Sequence, residues 1–213
     1  TGFTAKVDAG GLSAGKDYFF RFRFEGHSSP VGRTRTLPAA GATSLALAVL
    51  TCSNYPAGYF HAYAEAARSA AKYAVHLGDF IYEYAADGYA SADAAALGRV
   101  SQPATECIKL DDYRKRYAQY RSDPDSKTFH AMMPVIAVWD DHEVANDTFN
   151  NGAENHTEGA EGRFTERRAA AVQAWHEWLP VRAPDAKDLL KIYRSFDFGG
   201  LAAMHMLETR LIG

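Results

Sequence analysis

The segment HLGDFIYEY, His76 to Tyr84, constrains the chain most. Ahead of it runs Ala71 to Leu77, apolar enough for a buried strand, and Gly78 permits a sharp turn where a side chain would crowd. Asp79 then falls just past the strand's C-terminal end, the ligand-facing edge of an open α/β sheet. Tyr82 lies three residues on, and one helical turn would bring it onto the same face as Asp79. A carboxylate beside a phenol at such an edge suits a hard metal. The same residues also suit a helix cap and a packed ring, so both readings stand at this point.

The flanking sequence repeats the pattern. Ser44 to Thr51 (SLALAVLT) reads as a buried strand and ends at Cys52-Ser53-Asn54-Tyr55-Pro56. Phe60 to Lys72 is Ala-rich and helical, and it leads into the strand before Asp79. Two strands joined by one helix form a βαβ unit, whose strands run parallel. Cys52 and Asp79 are therefore expected on one edge of one sheet. Val135 to Trp139 reads as a third buried strand, ending in Asp140-Asp141-His142-Glu143. Four acid or imidazole groups in a row repel or compete unless something cationic sits among them. Such a run calls for a cation more than for a surface turn or a helix cap.

The other segments frame these three tips. Residues 1–37 read as all-β: Phe3 to Val7 alternates, Tyr18 to Phe24 interleaves Arg with aromatic residues, and Arg33 to Leu37 is a short strand. Pro38 to Ala42 is a linker by composition. Asp87 to Glu106 is poorly periodic and is expected as an excursion over the tips. Asp111 to Tyr120 reads as a helix with Tyr113, Tyr117 and Tyr120 as a packing stripe and Arg114 as a candidate phosphate contact. Ala145 to His156 is an Asn-rich loop, Phe164 to Leu179 a long helix, and Leu189 to Phe196 with Leu201 to Arg210 a hairpin. His27, His130, His176 and His205 read as packing or surface residues, while His156 remains a candidate ligand.

Composition narrows the function. The 213 residues are enough for one sizeable core or one and a half domains, and 47% hydrophobic with 23% charged is ordinary for a globular chain. A net charge of −3 argues against a basic nucleic-acid-binding face. No apolar run reaches membrane-spanning length. Two cysteines are too few for a disulfide framework. The opening residues do not read as a signal peptide, so the chain is expected to start inside something longer or to be a processed or trimmed product.

Taken together, Cys52-Ser53-Asn54-Tyr55 with Gly58-Tyr59-Phe60, then His76 to Tyr84, then Trp139-Asp140-Asp141-His142-Glu143, then Leu207-Glu208-Thr209-Arg210, resemble the alkaline phosphatase D family. This is the PhoD-like branch of the calcineurin-like metallophosphoesterases. The chain departs from the family pattern in Glu208, where an Asp is usual, and in stopping before the family's C-terminal Gly-Asp-x-His-type segment. The resemblance implies an α/β fold with a layered αββα phosphoesterase core at 44–213, here its N-terminal part, joined by a linker at 38–43. Before it, 1–37 would be the end of an immunoglobulin- or fibronectin-III-like β-sandwich, with truncation at both ends.

By the same resemblance Cys52 and Tyr82 match iron ligands, and Asp79 matches the carboxylate that bridges metals. Asp141 takes the Asn position of the superfamily's Gly-Asn-His-Glu signature, and His142 takes its His. A thiolate and a phenolate donate strongly to Fe³⁺, while carboxylates suit a second, hard ion such as Ca²⁺. The implied chemistry is hydrolysis of a phosphate monoester or diester by in-line attack of a metal-bound hydroxide, with His142 stabilising charge or protonating the leaving oxygen. The family also implies a secreted or periplasmic bacterial enzyme; oligomeric state and natural substrate stay open. The rival classes are an extracellular binding or adhesion module, an inactive phosphoesterase fragment, and thiol nucleophile chemistry at Cys52.

Overall fold

The computed structural model describes residues 4–212. Its centre is a three-stranded parallel sheet in the order β5–β6–β7, with β5 at Leu47–Leu50, β6 at Tyr73–His76 and β7 at Val135–Ala137. Leu47 lies opposite Tyr73, and Ala74 opposite Val135, so the three strands end level with one another. β6 is central and buried at every residue. β5 departs from the expected burial: it forms an edge of the sheet, and its Val49 is 60% exposed.

The crossover between β5 and β6 carries a 3₁₀ turn at Tyr55–Ala57 and helix α1, His61–Arg68. α1 is shorter than the sequence suggests because Ser69 caps it: the Ser69 backbone N–H bonds Glu65 and Ala66, and its hydroxyl donates to the Ala66 carbonyl. Helix α2, Leu110–Ser122, buries Tyr113, Tyr117 and Tyr120 as the expected stripe, and with them Arg116. Helix α3, Pro124–Met132, is an element the sequence reading lacks. Its start is nevertheless written locally. The Asp123 carboxylate accepts from the Asp125 and Ser126 N–H groups at 2.9 and 3.0 Å, with Pro124 at the first position. Helix α4, Phe164–Trp178, packs on α2.

Arg116 explains why the irregular stretch between β6 and α2 is ordered. Its buried guanidinium donates to the carbonyls of Gln102, Pro103, Tyr82 and Tyr84. One cation thus gathers four acceptors that have no strand or helix partner. Arg99 pins the same stretch from the other side, lying 3.7 Å above the Tyr55 ring and bonding Asp123 at 2.7 Å.

The N-terminal region departs from three strands. It forms two nested antiparallel pairs, β1 (Asp17–Phe20) with β4 (Gly32–Arg35) and, inside it, the hairpin of β2 (Arg23–Phe24) with β3 (His27–Ser28). The expected strand from Tyr18 to Phe24 is interrupted at Arg21 and Phe22, where the Phe22 N–H turns to the Ser29 hydroxyl at 2.9 Å, and it ends at Glu25 and Gly26, whose positive φ values make the two-residue turn that reverses a hairpin. Thr4 to Val7 has no regular structure, and Phe3 lies outside the described residues. Tyr73 ties this region to the sheet by donating to the Thr36 carbonyl at 2.8 Å. At the other end β8 (Arg194–Asp197) and β9 (Ala203–Met206) form the expected hairpin, and Arg194 reaches the Ala137 carbonyl at 2.7 Å.

The strand tips are tightly built. Cys52 and Asp79 both have left-handed backbones, with φ of 57° and 53°, unusual for residues bearing a side chain. The ladder holds them there: the Cys52 N–H bonds the Gly78 carbonyl at 3.2 Å and the Ser53 N–H bonds that of Asp79 at 2.8 Å. Gly78 itself sits at φ +106°, and a Cβ there would lie 2.3 Å from the Asp140 nitrogen. Gly78→Ala is therefore expected to push the β6 and β7 tips apart and to cost about 3 kcal/mol. Urea unfolding checks this, and a loss under about 1 kcal/mol would mean that the two tips can separate freely.

Beneath the tips His76 is 1% exposed and shares a 2.8 Å hydrogen bond with the Tyr63 hydroxyl. Burial pulls its imidazole down from 6.5 to about 3. The unfolded chain protonates this histidine below about 6.5 while the folded one stays neutral until about 3. Stability is thus full above that window and declines as pH falls through it. His130 shifts the same way for the same reason. Stability measured against pH should fall across this range, and His76→Phe should flatten part of the slope, since Tyr63 keeps its bond to Ser53. An unchanged slope would exclude His76 as a source of the acid sensitivity.

Candidate metal centre

Because the strands are parallel and end level, the segments after β5, β6 and β7 share one edge. Asp79, Asp141 and His142, all buried, each place a potential ligand atom within 4.8 Å of the other two. Two further groups converge on Asp79. The Cys52 thiol lies 3.4 Å from its Oδ2, and the Tyr82 hydroxyl donates to the same oxygen at 3.3 Å. Tyr82 arrives without the expected helical turn, since residues 79–82 bend irregularly. All five residues singled out in the sequence are thus brought together.

The geometry suits a cation. Asp79 Oδ1 is buried with no hydrogen-bond partner, a costly condition for a carboxylate oxygen unless an ion sits beside it. Burial raises the Asp79 pKa, and the neighbouring Asp141 and Asp140 charges push the same way against His142. Burial also pushes the Cys52 thiol and the Tyr82 phenol up, with the Asp79 charge adding to both. Each shift favours the protonated group, and a bound cation would reverse all of them. Metal uptake here would release protons.

Two carboxylates that the sequence reading did not single out organise the cluster. Glu143 is 1% exposed and accepts from the backbone N–H groups of Asp79 (3.1 Å), Phe80 (2.5 Å) and Asp140 (2.8 Å). Burial and the Asp79 charge raise its pKa to about 8 even so. Glu83, fully buried, bonds His142 Nδ1 at 2.7 Å and accepts from the Asn146 N–H at 2.7 Å. Burial alone would lower the His142 pKa; the Glu83 bond and the charges of Asp79 and Asp141 outweigh it and raise it. The His142 ring also stacks on Tyr82 with centroids 4.2 Å apart. With Nδ1 taken, Nε2 is the nitrogen left for the cluster. The only local signal for Glu83 was an acid between two aromatic residues in a run otherwise fit for burial.

Arg210 comes to the rim from the segment after β9, with Nε 2.6 Å from Asp140 and Nη2 3.5 Å from Asp141. Glu208 sets that segment: it accepts from the Trp139 indole at 2.8 Å and from the N–H groups of Arg210, Leu211 and Ile212. The longer side chain at this position therefore still closes the turn and anchors it to the β7 tip.

Other candidates fall elsewhere. Arg114 is held by two 2.7 Å bonds to Glu177 and one of 3.3 Å to Asp111, so it is a salt-bridge residue and not a phosphate contact. His156 packs on Phe164 and lies 3.3 Å from both Glu158 and Glu161, apart from the Asp79 cluster. His130, His176 and His205 bond the Ser126 carbonyl, the Leu189 carbonyl and the Ser195 hydroxyl. His27 is exposed on β3. His61 faces Asp125 at 3.3 Å, while Cys52 is bonded to Thr51 and Asp79, so the two form no nucleophile–base pair.

Comparisons with known proteins give the chain a family. A model described as PhoD-like phosphatase matches residues 47–213, and a model of the PhoD-like phosphatase N-terminal domain matches residues 1–38. Alkaline phosphatase D of Bacillus subtilis (strain 168) is 42% identical over 210 residues, which cover 96% of this chain and 35% of that protein. A solved structure of PhoD aligns with a TM-score of 0.85 at 41% identity, over 96% of this chain and 39% of that one. The chain thus spans little more than a third of the length of the relatives it matches, and it belongs to the PhoD-like phosphatase family.

Proposed function

We propose that this chain is part of a metal-dependent phosphoesterase that hydrolyses phosphate monoesters or diesters. The observation that carries the reading is the convergence of Cys52, Tyr82, Asp141 and His142 around Asp79, whose Oδ1 is buried and unpartnered. In this reading 44–213 is the first part of a layered αββα catalytic domain, and 1–37 is the end of a β-sandwich domain. A secreted or periplasmic location is inferred from the family resemblance. No described helix is long and apolar enough to cross a membrane.

Cys52, Tyr82 and Asp79 would hold Fe³⁺, since thiolate and phenolate are its strong donors. Asp79 and Asp141 would hold Ca²⁺ as hard oxygen ligands. When bound, these ions supply Lewis acidity that activates water and neutralises charge on the phosphoryl oxygens. The chain supplies the remainder. Glu83 keeps His142 Nδ1 engaged and Nε2 turned to the cluster, where it can donate a proton to the leaving oxygen. The buried floor of His76, Phe80 and Ile81 keeps bulk water from below the ligands. Arg210 balances the Asp140 and Asp141 charges at the rim.

Asp79→Asn keeps the shape of the side chain and removes its charge. It should abolish stoichiometric metal and lower turnover of a chromogenic phosphomonoester and a bis-phosphodiester by at least ~100-fold. Full metal content with an unchanged rate in the variant would remove Asp79 from the centre. A phenolate on Fe³⁺ gives a visible charge-transfer band that Ca²⁺ or Zn²⁺ cannot give. Protein purified without chelators should therefore be coloured, and Tyr82→Phe should bleach it without unfolding. Colourless iron-loaded protein, or colour retained in the variant, would sink the iron assignment whether or not the chain turns over substrate.

A further inference from the structure

Glu83 has a third donor besides His142 and the Asn146 backbone. The side-chain amide of Asn155 reaches its Oε1 at 2.8 Å. Asn155 comes from the far end of the Asn-rich loop, 13 residues after His142 and 72 after Glu83. Its own backbone is fixed: its N–H bonds the Asn146 carbonyl at 3.2 Å, and its carbonyl accepts from Arg167 Nη1 at 2.8 Å. Arg167 is 1% exposed on α4 and bonds the Tyr113 hydroxyl at 3.1 Å and Glu106 at 2.6 Å. The Tyr113 hydroxyl in turn donates to the Val144 carbonyl at 2.6 Å.

These bonds close a ring. From Arg167 one arm runs through Tyr113 to Val144, two residues beyond His142 in the same strand-tip segment. The other arm runs through Asn155 and Glu83 to the His142 ring itself. The backbone that carries the imidazole and the carboxylate that aims it are thus referenced to one buried guanidinium. Asn155 is the only side-chain amide in that circuit among the described residues. We infer that Asn155 is a positioning residue that fixes the His142 imidazole through Glu83, an inference that rests on the phosphoesterase reading only for its catalytic consequence. Without the Asn155 donor, Glu83 Oε1 keeps a single backbone bond, and the carboxylate is free to turn about that contact. The Oε2 that holds Nδ1 then moves with it, because a carboxylate is one rigid plane.

Two near-isosteric variants test this. Asn155→Leu keeps the bulk and removes the donor; Asn155→Asp sets a second carboxylate against Glu83. In metal-free protein labelled with ¹⁵N-histidine, the His142 Nδ1–H proton should be visible, held by its 2.7 Å bond to Glu83. It should shift and exchange faster in Asn155→Leu, and more so in Asn155→Asp if that variant folds. On the chromogenic monoester, kcat should fall about 10-fold or more, by the scale of outer-shell partners, with KM changed under about twofold. A folded Asn155→Leu with an unmoved His142 signal would overturn the inference, as would a raised KM at constant kcat. If the signal moves as expected while the protein extended to the length of its relatives hydrolyses neither ester, the positioning role stands and the phosphoesterase reading falls.

Discussion

The structure depends on Glu143, a buried carboxylate that joins two strand tips through three backbone N–H groups. Asp79 and Phe80 follow β6, and Asp140 follows β7, so a single side chain sets the distance between the two tips. Nothing else could easily serve there. Gly78 already brings the β6 turn against the Asp140 backbone, leaving no room for a side chain at residue 78 itself. The turns also leave these N–H groups with no ladder partner, and a buried unpaired N–H is costly. Glu143 satisfies them and thereby holds Asp79 opposite Asp141. The approach of Asp79 to Asp141 is in this sense a by-product of satisfying backbone donors at the end of a parallel sheet.

Burying so much acid in one place creates a second requirement. Asp79, Glu83, Asp141 and Glu143 are all nearly inaccessible, within reach of one another's charge. The protein answers each in a different way. Glu143 is met by N–H groups and Glu83 by an imidazole and two nitrogen donors, while Asp141 receives the Asp147 N–H at 2.6 Å and the edge of Arg210. Asp79 alone is left with weak thiol and phenol donors on one oxygen and nothing on the other. Of these four carboxylates only Asp79 has an oxygen without a donor, and that is where a cation would sit.

Arginine does the corresponding work in the irregular segments. Arg116 and Arg167 are both nearly inaccessible, and each spreads its donors over groups from several segments instead of pairing with one acid. A planar guanidinium with five donors can gather carbonyls that no secondary structure uses. In this way the stretch from Tyr82 to Pro103 and the loop around Asn155 are made rigid without strands or helices. Both segments border the centre, and Arg116 or Arg167 connects each of them to the α2–α4 pair.

Much of this was legible in the chain. The apolar runs before Cys52, Asp79 and Asp140 identified the strands, and the βαβ rule made them parallel, which placed the ligand-type residues on one edge. The tyrosine spacing in α2 marked its buried stripe. What the order of residues determined by itself was the set of tips and the residue types they carry, because strand periodicity and crossover handedness are local rules. The tertiary structure decided the rest. It made β5 an edge strand, turned Arg114 to Glu177, and kept His156 apart from the cluster. It also enlisted Glu83, Glu143, Asn155 and Arg167, whose partners lie up to 72 residues away and follow no spacing rule. Hydrogen bonds of that range are fixed only when the packed core brings their ends together, so the residues that meet at the candidate centre could be named from motif and position, whereas the groups that hold them in place could not.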